Sequence, residues 1–196
     1  MASLFDTLQA GAQRAGVKAR TDASRKWFQD KVKDLAIPAR KTLLKDDALT
    51  NTTRTIAGNM YMYFYDPKLK ESLPYYDRFP LTIMVEPAKG GFYGLNLHYL
   101  NYNLRARFLD ELMGLAPKKA TETSRITKMR YDLLKSARKF KEFKPCFKHY
   151  LTDHVKSRFA KVPMTDWEIA IFLPVEQFRK AKTATVWRDS LKISKQ

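Results

Sequence analysis

Residues 81–100 read LTIMVEPAKGGFYGLNLHYL, two β-rich runs on either side of a glycine pair. Paired glycines supply the positive φ angles that a tight turn needs, so Gly90 and Gly91 predict a hairpin and, with it, an antiparallel sheet. Upstream, residues 59–65 alternate in the manner of a strand, with Met60, Met62 and Phe64 on one face and Tyr61, Tyr63 and Tyr65 on the other. Prolines at 67, 74, 80 and 87 punctuate these runs. Three strands so close in sequence imply a meander, which a small barrel buries naturally. The apolar run DWEIAIFLP at 166–174, bounded by Pro163 and Pro174, reads as a further strand. The expectation is an α+β fold: a small antiparallel β-sheet or SH3-like barrel, with strands near 59–65, 81–87, 92–100 and 166–173, flanked by basic α-helices.

The flanks carry the helical period. Leu4, Phe5 and Leu8, then Trp27, Phe28, Val32 and Leu35, recur at spacings of three and four. Gly11 and Gly16 are expected to interrupt this stretch, Thr21 or Asp22 to cap a second helix, and Pro38 to close it. TNTTR at 50–54 reads as a loop or linker. The chain is therefore divided into an N-terminal basic helical extension, 1–55, and an α+β body, 56–196. Leu104, Phe108, Leu109 and Leu112 predict a helix after the hairpin. Residues 123–160 predict one or two more, interrupted at Pro145. Their apolar stripe is Ile126, Met129, Leu133, Leu134 and Ala137, then Phe147, Tyr150, Leu151 and Val155. The segment VEQFRKAKTATVWRDSLKI is read as a short helical turn and a tail.

Charge narrows the partners. The net charge is +17, which implies an acidic partner: nucleic acid, an anionic membrane or an acidic protein face. Its distribution is uneven. Residues 118–161 hold 14 Lys and Arg against 4 Asp and Glu, whereas the aromatic stretch 59–117 holds 6 of each. A single cysteine, Cys146, excludes an internal disulfide framework and suits a reducing cytosol. No apolar run approaches the roughly 18–20 residues that span a bilayer, and no secretory signal is visible. Residues 1–35 have the look of a basic amphipathic segment, but Asp6, Asp22, Asp30 and Asp34 argue against a transit peptide. A soluble chain with no membrane partner is expected.

The residues that would carry catalysis are not grouped. His149 and His154 are five apart, so their imidazoles diverge on a helix, and Cys146 with His149 gives only two metal ligands. KGGFYG at 89–94 lacks the spacing and the helix of a nucleotide-binding fingerprint. Asp66, Asp77 and Glu86 lie beside prolines or turns, where turn chemistry and pairing with Arg78 are the simpler reading. Neither an enzyme nor a cofactor or metal ion is expected. The functional candidate is the basic segment itself. Lys118, Lys119, Arg125, Lys128, Arg130, Lys135, Arg138, Lys139, Lys141, Lys144 and Lys148 lie mostly off the apolar stripe. Such a face neutralises phosphates and releases counterions without reading sequence. Tyr61, Tyr63 and Tyr65 share one strand face and are a secondary candidate for stacking on bases.

Four phrases together, MYMYFYDPKLKESLPYYDRFPL, GGFYGLNLHYLNYNLRARFLDELM, FKEFKPCFKHYL and WEIAIFLPVEQF, resemble a family of DNA end protector, or head-completion, proteins from T-even-like contractile-tailed phages. The similarity runs from about Met60 to Trp187 and leaves the first 55 residues uncovered. It implies a virion protein packaged with the genome, bound to DNA termini independently of sequence, and blocking host exonuclease after injection. It also implies virion partners at the portal and neck or tail, a possible homo-oligomeric ring, and a location in the virion and the host cytoplasm. It supplies no catalytic motif. The alternative reading is a structural protein of the phage neck, tail or baseplate whose basic surface contacts acidic neighbouring subunits.

Overall fold

A computed structural model describes residues 3–36, 38–114, 132, 134–137 and 141–195 of the chain. The described residues form an α+β fold around a six-stranded antiparallel sheet. In chain order the strands are β1 (Thr50–Thr52), β2 (Met60–Met62), β3 (Tyr76–Asp77), β4 (Leu81–Ala88), β5 (Gly91–Asn96), β6 (Phe147–Leu151), β7 (Phe159–Val162) and β8 (Phe178–Arg179). The large sheet has the order β1-β7-β2-β4-β5-β6, and β3 pairs with β8 in a separate ribbon. The hairpin falls where the glycine pair places it. Ala88 faces Gly91 across a two-residue turn in which Gly90 has a φ of +72°.

The sheet is curled, not flat. On a flat sheet β2 and β6 would stand roughly 14 Å apart, three strand spacings. Instead the rings of Tyr65, just past β2, and Tyr150, on β6, lie 4.9 Å apart, and Tyr65 bridges Val155. Two glycines of β5 permit the close packing. A Cβ on Gly91 would meet the Tyr150 carbonyl oxygen, and one on Gly94 would sit 2.3 Å from Thr82 Cγ2. One face of the sheet thus wraps an aromatic cluster of Tyr61, Tyr63, Tyr65, Phe92, Tyr150 and Phe159 with Met84. The other face joins the main core through Met60, Met62, Leu81, Ile83, Val85 and Leu95.

Helices α1 (Leu4–Arg14), α2 (Asp22–Asp34), α3 (Arg40–Leu43), α4 (Tyr102–Gly114), α5 (Trp167–Phe172) and α6 (Thr183–Lys195) surround that core. Thr21 caps α2 in a capping box with Ser24, as its position predicts. Gly11 does not interrupt α1. It lies inside the helix, where its missing side chain lets the Trp27 ring approach to 3.0 Å of its Cβ position. Phe5, Leu8, Phe28 and Val32 enter the same core as the sheet. Glu168 of α5 accepts from the Arg20 amide and the Ser24 hydroxyl, tying the start of α2 to the body.

Several expectations are corrected. Residues 167–172 are the buried helix α5, not a strand; a fully buried helix shows no polar period to set it apart. Residues 147–151 and 159–162 are strands, not helix, and residues 50–52 of the expected linker form an edge strand beside β7. The strand at 92–100 ends at Asn96, whose side chain caps a 3₁₀ turn at Leu97–Tyr99. The C-terminal tail is the thirteen-residue helix α6.

Candidate nucleic-acid interface

The basic segment enters the described structure at its C-terminal half. Lys118, Lys119, Arg125, Lys128, Arg130, Arg138 and Lys139 lie outside the described residues. Residues 141–146 form a 3₁₀ turn, in which positions three apart share a side. Lys141 and Lys144 therefore both face solvent, while Phe143 and Cys146 are buried and Phe143 packs on Phe108. Burial pushes the Cys146 thiol up to about 12. Helix α6 packs against this turn. It carries exposed Arg188, Lys192 and Lys195, which the sequence places in a tail.

The other two described lysines sit differently. Lys135 pairs with Glu86 at 3.3 Å, replacing the expected Glu86 partner, Arg78. Lys148 lies on β6 opposite Gly94, and its Nζ stands 4.0 Å above the centre of the Tyr99 ring. Burial holds its ammonium below the ordinary lysine range, yet among the described residues no carboxylate forms an ion pair with it.

Tyr61, Tyr63 and Tyr65 do share a face, but curling closes it. Their exposures are 2%, 0% and 7%. The Tyr63 ring meets Tyr65, Phe92, Tyr150 and Phe159 edge-on. Each hydroxyl is engaged: Tyr61 accepts from the Ile56 amide, Tyr65 accepts from the Leu151 amide, and Tyr63 bonds Thr82. The rings of Tyr61 and Tyr63 are enclosed by protein, while Tyr65, at the end of the row, also borders a cavity.

A second group of tyrosines borders open space. A cavity of about 160 Å³ is walled by Tyr65, Tyr75, Tyr76, Tyr99, Tyr150 and Lys148. Tyr75 and Tyr76 are only half-buried. Asp77, also at its wall, belongs to a buried polar network instead of pairing with Arg78. Its Oδ1 accepts from the Phe79 and Gln177 amides, and its Oδ2 lies 2.7 Å from His98 Nδ1 and 3.2 Å from Asn96 Nδ2. Burial pushes Asp77 up, but His98 and the two amides outweigh it and hold the carboxyl below its usual range. Nearby, buried Arg105 donates to the carbonyls of Leu100, Ile171 and His98 and lies over the Tyr102 and Trp187 rings. Among the described residues no three His, Cys, Asp or Glu side chains assemble into a metal site. No helix among them is long and apolar enough to cross a membrane.

The model of the family described as phage T4 terminal DNA protecting protein matches residues 2–190, taking in the N-terminal helices as well as the stretch from Met60 onward. No curated protein and no solved structure matches the chain.

Proposed function

The chain belongs to the phage T4 terminal DNA protecting protein family, and from that premise we propose that it is a non-enzymatic virion protein that covers the ends of the phage genome through its basic segment. The observation that carries the proposal is the family match over residues 2–190, with the charge of residues 118–161 as its physical complement. Protection of this kind asks for tight phosphate contact and steric cover, and for no base readout. Lysines and arginines on phosphates provide that by releasing condensed counterions. Lys118, Lys119, Arg125, Lys128, Arg130, Lys135, Arg138, Lys139, Lys141, Lys144 and Lys148 are the proposed contacts, extended by Arg188, Lys192 and Lys195 of α6.

A role in completing the head and neck is a second reading, favoured by the outer surface of α6. There Leu191 and Ile193 are 40% and 37% exposed beside Lys192, the mixed apolar and basic character of a protein-docking helix.

The test is protection of linear duplex from a processive exonuclease by purified protein. Saturating protein is expected to block degradation. Affinity is expected to fall on the order of 10³-fold between 50 and 200 mM salt, as about five or six neutralised phosphates imply. Unprotected ends at saturation, or a flat salt response, would refute the reading.

A further inference from the structure

A phosphate-binding face has no means of telling a DNA end from its interior, because every step of the duplex offers the same charges. End preference needs a second element, one that only a terminus can satisfy. The tyrosine-walled cavity beside Lys148 has the right chemistry. Its volume, about 160 Å³, compares with the roughly 150 Å³ cavity that takes up a benzene molecule, so it accommodates a single flat ring system. Tyr65, Tyr99 and Tyr150 are buried, while Tyr75 and Tyr76 are half-buried. The Tyr75 ring leans on Tyr99 at 6.1 Å, which fixes one wall. Lys148 brings a sheltered cation to the same cavity, held above the Tyr99 ring and without a carboxylate ion pair among the described residues. The one acid at the wall, Asp77, has its lone pairs taken by Phe79, Gln177, His98 and Asn96 and offers no free acceptor to compete for Lys148.

We infer that this cavity receives the terminal nucleotide of a DNA strand, its base among the tyrosines and its phosphate on Lys148. The inference rests on the end-protection reading and deepens it by giving the source of end preference. A base inside a duplex must unpair and unstack before it can enter such a pocket, whereas a terminal base only frays. Aromatic stacking is tolerant of base identity, which suits a protein that does not read sequence.

The experiment compares affinity for a short open-ended duplex with affinity for the same duplex closed by hairpin loops at both ends. The wild-type protein is expected to prefer the open duplex about tenfold, the scale of one stacked base. The double variant Tyr75→Ala/Tyr76→Ala is expected to lose that preference while binding the closed duplex as before, and Lys148→Gln is expected to lower open-duplex affinity. Equal binding of both duplexes by the wild type, or a preference that survives the double variant, overturns the inference and leaves DNA binding standing. Absence of affinity for either duplex overturns the end-protection reading itself. Should the double variant fail to fold, competition on the wild-type protein decides. A 5′-phosphorylated deoxydinucleotide is expected to displace the open duplex selectively, and its failure to do so overturns the inference.

Discussion

Asp77 shows how a single side chain is held by the fold. Its position before Arg78 and Phe79 suggests a turn acid, and it does cap the Phe79 amide at 2.9 Å. Its stronger role is non-local. With His98 Nδ1 at 2.7 Å and the Gln177 amide at 3.0 Å, it joins the β3–β8 ribbon to the turn after β5. Truncating one member of a buried, hydrogen-bonded pair leaves the other unpartnered, so Asp77→Ala is expected to cost about 3–5 kcal/mol in urea unfolding. The pH dependence follows from the lowered carboxyl. A carboxylate that titrates lower in the folded than in the unfolded chain contributes its full stability above the unfolded value of about 3.9. That contribution is lost as pH falls through the folded value. The wild-type midpoint is therefore expected to drop steeply below about pH 4, and the drop to be shallower in Asp77→Ala. Parallel acid curves for the two proteins would show that the Asp77 carboxyl is not the group concerned.

At the scale of elements, the β4–β5 hairpin is the part most plainly written in the sequence, because its signal is local: alternation, then two glycines. The same strand carries a non-local demand at Gly94. A Cβ there meets Thr82 Cγ2 at 2.3 Å and the Ile83 carbonyl oxygen at 3.3 Å. Gly94→Ala is expected to destabilise by about 1–3 kcal/mol through overpacking, read as a lower urea midpoint with an unchanged slope; a neutral effect would mean that Thr82 shifts freely. What the sequence hid was equally physical. In β6, Tyr150 points into the aromatic cluster and Phe147 packs on the main core, so apolar residues face both sides and no clean polar alternation marks the strand. Phe147, Tyr150, Leu151 and Val155 then mimic a helical stripe. Helix α5 fails in the opposite direction, since WEIAIF is buried almost throughout and reads as an apolar strand. The burial of Tyr61, Tyr63 and Tyr65 depends on curling of the sheet toward β6 and β7, strands about ninety residues away in the chain. Local alternation places the three tyrosines on one face and leaves open what covers it. The cavity draws Tyr75, Tyr99 and Lys148 from three distant segments and has no signature in any one of them.

For the molecule as a whole, net charge sets two responses to salt that run in opposite directions. A charge of +17 on 196 residues loads the folded state with self-repulsion, because the compact chain holds its cations closer together than the unfolded one. The described ion pairs do little to offset this. Arg25 pairs with Asp22 and Asp110, Lys33 with Asp30, and Lys70 with Asp66, all at the surface, where such pairs contribute about 0–1 kcal/mol each. Screening by added salt acts on both repulsion and attraction, and here repulsion is the larger. Raising sodium chloride from about 50 to 500 mM shortens the screening length from more than 10 Å to less than 8 Å, and is expected to raise Tm. If the relief amounts to about 1 kcal/mol, the rise is about 2–4 °C for a chain of this size. Over the same range affinity for DNA falls, because counterion release loses its advantage. Calorimetry and binding on one salt series read both effects. A Tm that falls with salt would mean that attractive pairs, not repulsion, govern the folded state.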